Sequence, residues 1–116
     1  MGIDRERALR VAGAFGGGMG RMGATCGAVT GAFMAIGLKC GKVRAEDDAA
    51  REKTYELVRE FVTRFQSRHG SMSCKELLGY DLSNPQEREK AKEKGLFDTL
   101  CPQLVRDAVE ILEEIL

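Results

Sequence analysis

The sequence has no tryptophan and only two tyrosines and five phenylalanines. Stacking platforms for nucleic-acid bases are therefore not expected. It also lacks net charge. Eighteen basic and eighteen acidic residues cancel, so no overall field draws the chain to nucleic acid or to an acidic membrane. No leading apolar segment is present, because Met1 to Arg10 carries charges where a signal peptide needs hydrocarbon. The longest apolar run, Ala24 to Leu38, is too short and too glycine-rich for a membrane span. These features predict a cytoplasmic protein. No segment alternates with period two, and no internal repeat is visible. Four cysteines are present, yet none forms a CxxC pair or a CxxCH motif. Thioredoxin-type, zinc-ribbon and covalent-haem readings fall away on that ground. There is no Walker motif either.

What remains is an ordinary globular balance, with 43% hydrophobic and 31% charged residues over 116 positions. This predicts one domain, residues 1–116, with a single modest core. The patterns read as helices throughout, giving an all-α compact bundle of five to six helices. Asp4 caps a first helix to about Ala14. A glycine loop, Gly16 to Gly23, follows, since so many glycines do not continue a helix cheaply. Thr25 is expected to cap a second, central helix from Cys26 to about Leu38. This helix is apolar nearly all round. Its Gly27, Gly31 and Ala35 form a small-residue stripe where another backbone would come close. Asp47 to Arg68 is the longest helix, with Tyr55, Val58, Phe61, Val62 and Phe65 on its apolar face and Gly70 as its stop. Ser73 to Glu76 fits a capping box for a short helix that Gly79 ends. Ser83-Asn84-Pro85 starts a polar helix ending near Gly95. Cys101-Pro102 opens the last helix, along which Leu104, Ala108, Ile111 and Ile115 line up.

The cysteines are the main carriers of chemistry. Cys26, Cys74 and Cys101 all fall at predicted helix N-termini. Free N–H groups and the positive end of the helix dipole favour a thiolate there. Cys40 sits at a helix end of opposite polarity and gets no such help. Buried cysteines also serve as plain small hydrophobes, but three in one local context point to function. Gly18-x-Gly20-x-x-Gly23 matches the dinucleotide fingerprint formally, yet it follows a helix and no βαβ unit surrounds it. Gly17, Gly18, Gly20 and Gly23 are instead expected to bind an anion or to shape the approach to Cys26. The single histidine, His69, reads as a surface residue at a helix end.

Phe15 to Gly23, followed by Cys26-Gly27-Ala28-x-x-Gly31, is similar to the C_GCAxxG_C_C family of redox-active proteins. Ser73-Cys74-Lys75-Glu76-Leu77-Leu78-Gly79 and Cys101-Pro102-x-x-Val105-x-x-Ala108 resemble the same family, so the likeness spans nearly the whole chain. The resemblance implies a helical fold, a redox role and four characteristic cysteines. Cys26, Cys74 and Cys101 match the later three. The family's first cysteine precedes the glycine loop, and no cysteine precedes Cys26 here. The chain is thus expected to be a form without the family's N-terminal helix, which would favour self-association through exposed apolar surface.

Three functions follow. The first is cysteine-based redox chemistry, thiol–disulfide or electron transfer, centred on Cys26 with Cys74 and Cys101. It requires no cofactor and would act on a redox partner protein or a small thiol or disulfide. The second is a metal or iron–sulfur site built from the same three cysteines. The third is a helical interaction module with structural cysteines.

Overall fold

The structure is a computed structural model that describes residues 2–116. Among the described residues it holds helices and no strand. The elements in order are α1 (Arg5–Ala12), α2 (Gly16–Met19), α3 (Gly27–Cys40), α4 (Asp48–His69), α5 (Cys74–Leu78), α6 (Pro85–Glu93) and α7 (Leu100–Ile115). The expected all-α bundle is the fold observed. No helix of the described residues is long and apolar enough to cross a membrane.

Most helix ends follow local chemistry. Asp4 accepts the Arg7 N–H at 2.8 Å, and Asp47 accepts the Ala50 N–H at 3.0 Å. The Asn84 side chain accepts from both Gln86 and Glu87, with Pro85 preset at the first helical position. Gly70 and Gly79 end α4 and α5 in left-handed conformations, which cost glycine no steric penalty.

The short α2 differs from the other helices. Gly17, Gly18, Met19, Gly20 and Arg21 all have φ between 61° and 68°. This is one left-handed turn, closed as the Gly23 N–H donates to Gly17 O and the Ala24 N–H to Gly18 O at 2.9 Å. Left-handed geometry costs a residue with a β-carbon roughly 1–2 kcal/mol. Glycine at three of the five positions keeps that cost low, and Met19 and Arg21 bear it. The glycine run is therefore an ordered turn, with no strand before it, and it is not a dinucleotide loop.

The main core lies among α3, α4 and α7. Val29, Ala32 and Ile36 from α3 meet Leu57, Phe61 and Phe65 from α4 and Leu104, Ala108 and Ile111 from α7. Phe61 packs edge-on against Phe33 and stacks on Phe65, with ring centroids at 6.1 and 5.7 Å. Each such buried side chain contributes roughly 1.5–3 kcal/mol. Leu57, not Tyr55, is buried on α4, and Tyr55 is 51% exposed. The packed stripe of α4 runs at i, i+4, i+8 through Leu57, Phe61 and Phe65, and Tyr55 lies two residues, or about 200° around the helix, from Leu57. The small-residue stripe of α3 is used only at one end. A β-carbon on Gly27 would meet Phe15 O at 3.1 Å, whereas one on Gly31 would meet nothing within 4 Å.

Charged residues rim the α4–α7 seam. Arg64 bridges Glu60 and Glu114, and Arg68 reaches Glu110 and Glu114. Exposed pairs of this kind set register more than they add stability. His69 departs from the surface placement expected for it. It packs on Phe65 with ring centroids at 4.8 Å. Its Nε2 lies 2.9 Å from Asp107 Oδ2, off the axis of a hydrogen bond.

A second cluster sits beside the core, made of Cys74, Leu78, Leu82 and Ala91 with Leu96, Phe97, Leu100 and Cys101 packed on it. The short elements α5 and α6 are held there, and this cluster positions the cysteines.

Candidate functional site

Two stretches of backbone pair just before their helices. The Cys26 N–H donates to Met72 O at 2.8 Å, and the Cys74 N–H donates to Ala24 O at 2.6 Å. Thr25 thereby lies opposite Ser73 in an isolated antiparallel bridge. Side chains alternate along extended backbone, so Cys26 and Cys74 share the face that Thr25 and Ser73 leave. Diagonal neighbours in such a pair stand about 7–8 Å apart, at the edge of the roughly 7 Å Cα separation a disulfide spans.

This pairing shifts the expected start of α3. Thr25 is held extended by Ser73, and Cys26 is the N-cap residue itself, with φ −56° and ψ 136°. Its carbonyl accepts from the Val29 and Thr30 N–H groups at 2.9 and 3.2 Å. Cys74 is the first residue of α5, after Ser73, whose hydroxyl accepts from the Glu76 N–H at 3.5 Å. Cys101 is the second residue of α7, which begins at Leu100. Thr99 precedes α7 without capping it, because its hydroxyl donates to Gly95 O at 2.8 Å.

The three helix starts converge. Cys26, Cys74 and Cys101 line one cavity of about 130 Å³, walled also by Gly17, Gly18 and Phe97. Cys74 is only 6% exposed, while Cys26 and Cys101 are half-buried. Cys40 is elsewhere, at the far end of α3, where its carbonyl accepts from Thr54 Oγ1 at 3.0 Å. All four cysteines are free thiols.

The glycines divide between two tasks. Gly18 lies against the thiol cluster, where a β-carbon would come within 2.6 Å of Cys74 Cβ. Gly17 lines this cavity and a larger adjoining one, and Gly20 lines the larger one alone. Gly23 is buried and faces Asp81, whose carboxylate would be 3.2 Å from a β-carbon there. Sequence reasoning missed Leu82, Phe97, Arg21 and Arg88 as wall residues of these cavities. Leu82 and Phe97 lie in short connections without periodicity, and the two arginines lie far apart along the chain, so no local pattern marks them.

Electrostatics here run against the simple helix-start argument. Burial pushes the Cys74 thiol up to about 11, aided by the neighbouring sulfurs of Cys26 and Cys101 and by Asp81. Asp81 stays ionised because Ser83 donates to it through both hydroxyl and N–H, which holds its carboxyl below the usual range. The Cys101 thiol is raised too, first by burial and then by Cys26. Desolvation in a shared apolar pocket outweighs the dipole of a five-residue helix.

A stability prediction follows. The folded chain holds the Cys74 proton more tightly than the unfolded chain does, so stability is fully present below the ordinary thiol value of 9.0. It falls as pH rises through about 11, by roughly 2–3 kcal/mol. Urea midpoints measured from pH 7 to 11 are expected to show this slope. Cys74→Ala is expected to flatten it, and an unchanged slope in that variant would refute the assignment.

Among the described residues, no three Cys, His, Asp or Glu side chains are gathered closely enough to hold a metal ion. The three cysteines share a cavity but do not form a ready ligand set, so the iron–sulfur arrangement finds no support in their geometry. Comparison with curated proteins and with solved structures yields no match. A family model described as "Putative redox-active protein (C_GCAxxG_C_C)" matches residues 1–115. With three helix-start cysteines around one cavity and a family match over essentially its whole length, the chain belongs to the C_GCAxxG_C_C family.

Proposed function

We propose that the protein carries out thiol–disulfide exchange, with Cys26 as the attacking sulfur and Cys74 or Cys101 as the second thiol. The observation that supports this reading most is the convergence of these three cysteines, distant in sequence, on one small cavity that excludes Cys40. Cys26 is half-buried, less enclosed than Cys74, and its backbone caps a fourteen-residue helix. Cys74 is held beside it by the Thr25–Ser73 bridge.

The chemistry balances without a cofactor. The Cys26 thiolate attacks one sulfur of a substrate disulfide. The substrate S–S bond breaks, a mixed disulfide forms at Cys26, and the other half leaves as a thiolate that takes up a proton. The second thiol then loses its proton, attacks the Cys26 sulfur and expels the remaining half. The substrate gains two electrons and becomes two thiols, and the protein is left with an internal disulfide. Formation of the mixed disulfide removes the charge at Cys26, one of the causes that raise both Cys74 and Cys101. A reducing partner protein or small thiol returns the electrons.

The test is oxidation of the reduced protein with excess bis(2-hydroxyethyl) disulfide, followed by thiol counting and peptide mapping. The expected result is loss of two thiols per chain, a bridge from Cys26 to Cys74 or Cys101, and a free Cys40. Cysteines that react independently, at the rate of a free thiol and without an internal bridge, would overturn the proposal and favour structural cysteines.

A further inference from the structure

The thiol cavity adjoins a larger one of about 460 Å³, whose lining includes Gly16, Gly17, Gly20, Arg21 and Arg88. Gly17, Leu82 and Phe97 belong to the walls of both cavities, so the two meet along one shared boundary. Arg21 and Arg88 are the charged residues of the larger cavity, and no carboxylate lines it. Beyond it lies a depression where the same two arginines and Lys92 face Glu89 and Asp98, three cations against two anions. Among the described residues, neither Arg21 nor Arg88 is paired with a carboxylate, in contrast to Arg64 and Arg68 on the opposite seam.

The glycines explain how Arg21 is placed. A β-carbon on Gly17 would come 2.9 Å from Arg21 Cγ, so the arginine stem lies across the bare backbone of the left-handed turn. Arg21 itself is left-handed, with φ 66°, which brings its side chain back over the glycines. Arg88 comes from α6 and lines the same cavity. Two guanidinium groups that no carboxylate neutralises make a strong site for a planar anion.

The geometry points to a substrate-recognition site: Arg21 and Arg88 hold the carboxylate of a small anionic disulfide whose sulfur reaches Cys26 past Gly17, Leu82 and Phe97. This rests on the thiol–disulfide reading for its chemistry and adds the substrate class. The carboxylate-bearing half is the one retained as the mixed disulfide at Cys26, and the other half leaves as thiolate.

The test uses two readouts on the full chain, comparing wild type with Arg21→Gln/Arg88→Gln. The first is the rate of oxidation by 3,3′-dithiodipropionate (dianionic), bis(2-hydroxyethyl) disulfide (neutral) and cystamine (dicationic). The second is peptide-resolved alkylation of Cys26 by iodoacetate against iodoacetamide, which needs no disulfide chemistry. Wild type is expected to prefer the anionic reagent in both, and the double variant to lose at least about tenfold of that preference. Its rates with the neutral reagents set the reference for that preference, and circular dichroism with urea unfolding checks that the variant is folded. Raising salt should weaken the anionic preference in wild type. Equal preference in wild type and variant would overturn the inference while leaving the exchange reaction standing. A preference for iodoacetate without any internal disulfide would uphold the anion site and overturn the exchange reading instead.

Discussion

Cys26→Ser is expected to abolish disulfide reduction without weakening the fold. A serine hydroxyl stays protonated at neutral pH and forms no disulfide, so neither the mixed disulfide nor the internal bridge can arise. The substitution should be structurally mild because Cys26 is the N-cap of α3 and makes no side-chain capping bond. Serine is among the preferred N-cap residues, since its oxygen accepts an otherwise unpaired N–H of the first turn. Removing the nucleophile should therefore leave stability unchanged or raise it by up to about 1 kcal/mol. That separation of effects makes the variant informative. The assay is turnover of bis(2-hydroxyethyl) disulfide with a supplied reductant, run beside urea unfolding. Wild-type turnover in Cys26→Ser would refute its role as attacking sulfur. Cys74→Ser and Cys101→Ser should behave differently, because whichever supplies the second thiol should accumulate the mixed disulfide at Cys26.

Gly18→Ala is expected to be the most damaging single methyl group that can be added to the chain near the thiols. Gly18 has φ 68° and ψ 55°, where a β-carbon costs roughly 1–2 kcal/mol. The added carbon would also lie 2.6 Å from Cys74 Cβ, 2.7 Å from Ala24 N and 2.9 Å from Gly23 C. None of these is the tip of a flexible side chain, so relief requires moving backbone. Overpacking of this kind costs roughly 1–3 kcal/mol. The sum, roughly 2–5 kcal/mol, is a large share of the roughly 5–15 kcal/mol that stabilises an ordinary domain. Gly20→Ala is the matched control. It has a similar φ of 61°, but its nearest neighbour would be Ala14 O at 4.0 Å. It should lose only the conformational part, roughly 1–2 kcal/mol. Chemical denaturation of both variants checks this, and equal losses would show that contact with Cys74 contributes nothing. Because the strain falls on Cys74, Gly18→Ala should also slow closure of the internal disulfide, even at temperatures where the chain stays folded.

Much of the fold was legible in local chemistry. Asp4 and Ser73 cap the helices they were expected to cap, the helices expected to start at Asp47 and at Asn84 do so, and Gly70 and Gly79 stop theirs. These signals act over three or four residues, so they survive whatever the rest of the chain does. The last helix buries Leu104, Ala108 and Ile111, as its spacing indicates. Errors arose where a distant partner intervened. Thr25 does not cap α3 because Ser73, far along the chain, holds it extended. His69 lies off the surface, packed on Phe65 where α7 brings Asp107 within 2.9 Å of its Nε2. Tyr55 and Leu57 exchange roles because the axial rotation of α4 is set by α3 and α7.

Local chemistry alone specifies a helical protein with cysteines at three helix starts and a glycine run suited to positive φ. Those features depend on caps, periodicity and the freedom of glycine, all of which are local. That Cys26, Cys74 and Cys101 face one cavity and Cys40 does not follows from packing. Packing likewise makes burial the first cause that raises the Cys74 and Cys101 thiols. Convergence and desolvation are set by what packs around a sulfur, and here the packing groups come from the left-handed turn, α5 and the start of α7, segments that no spacing rule connects.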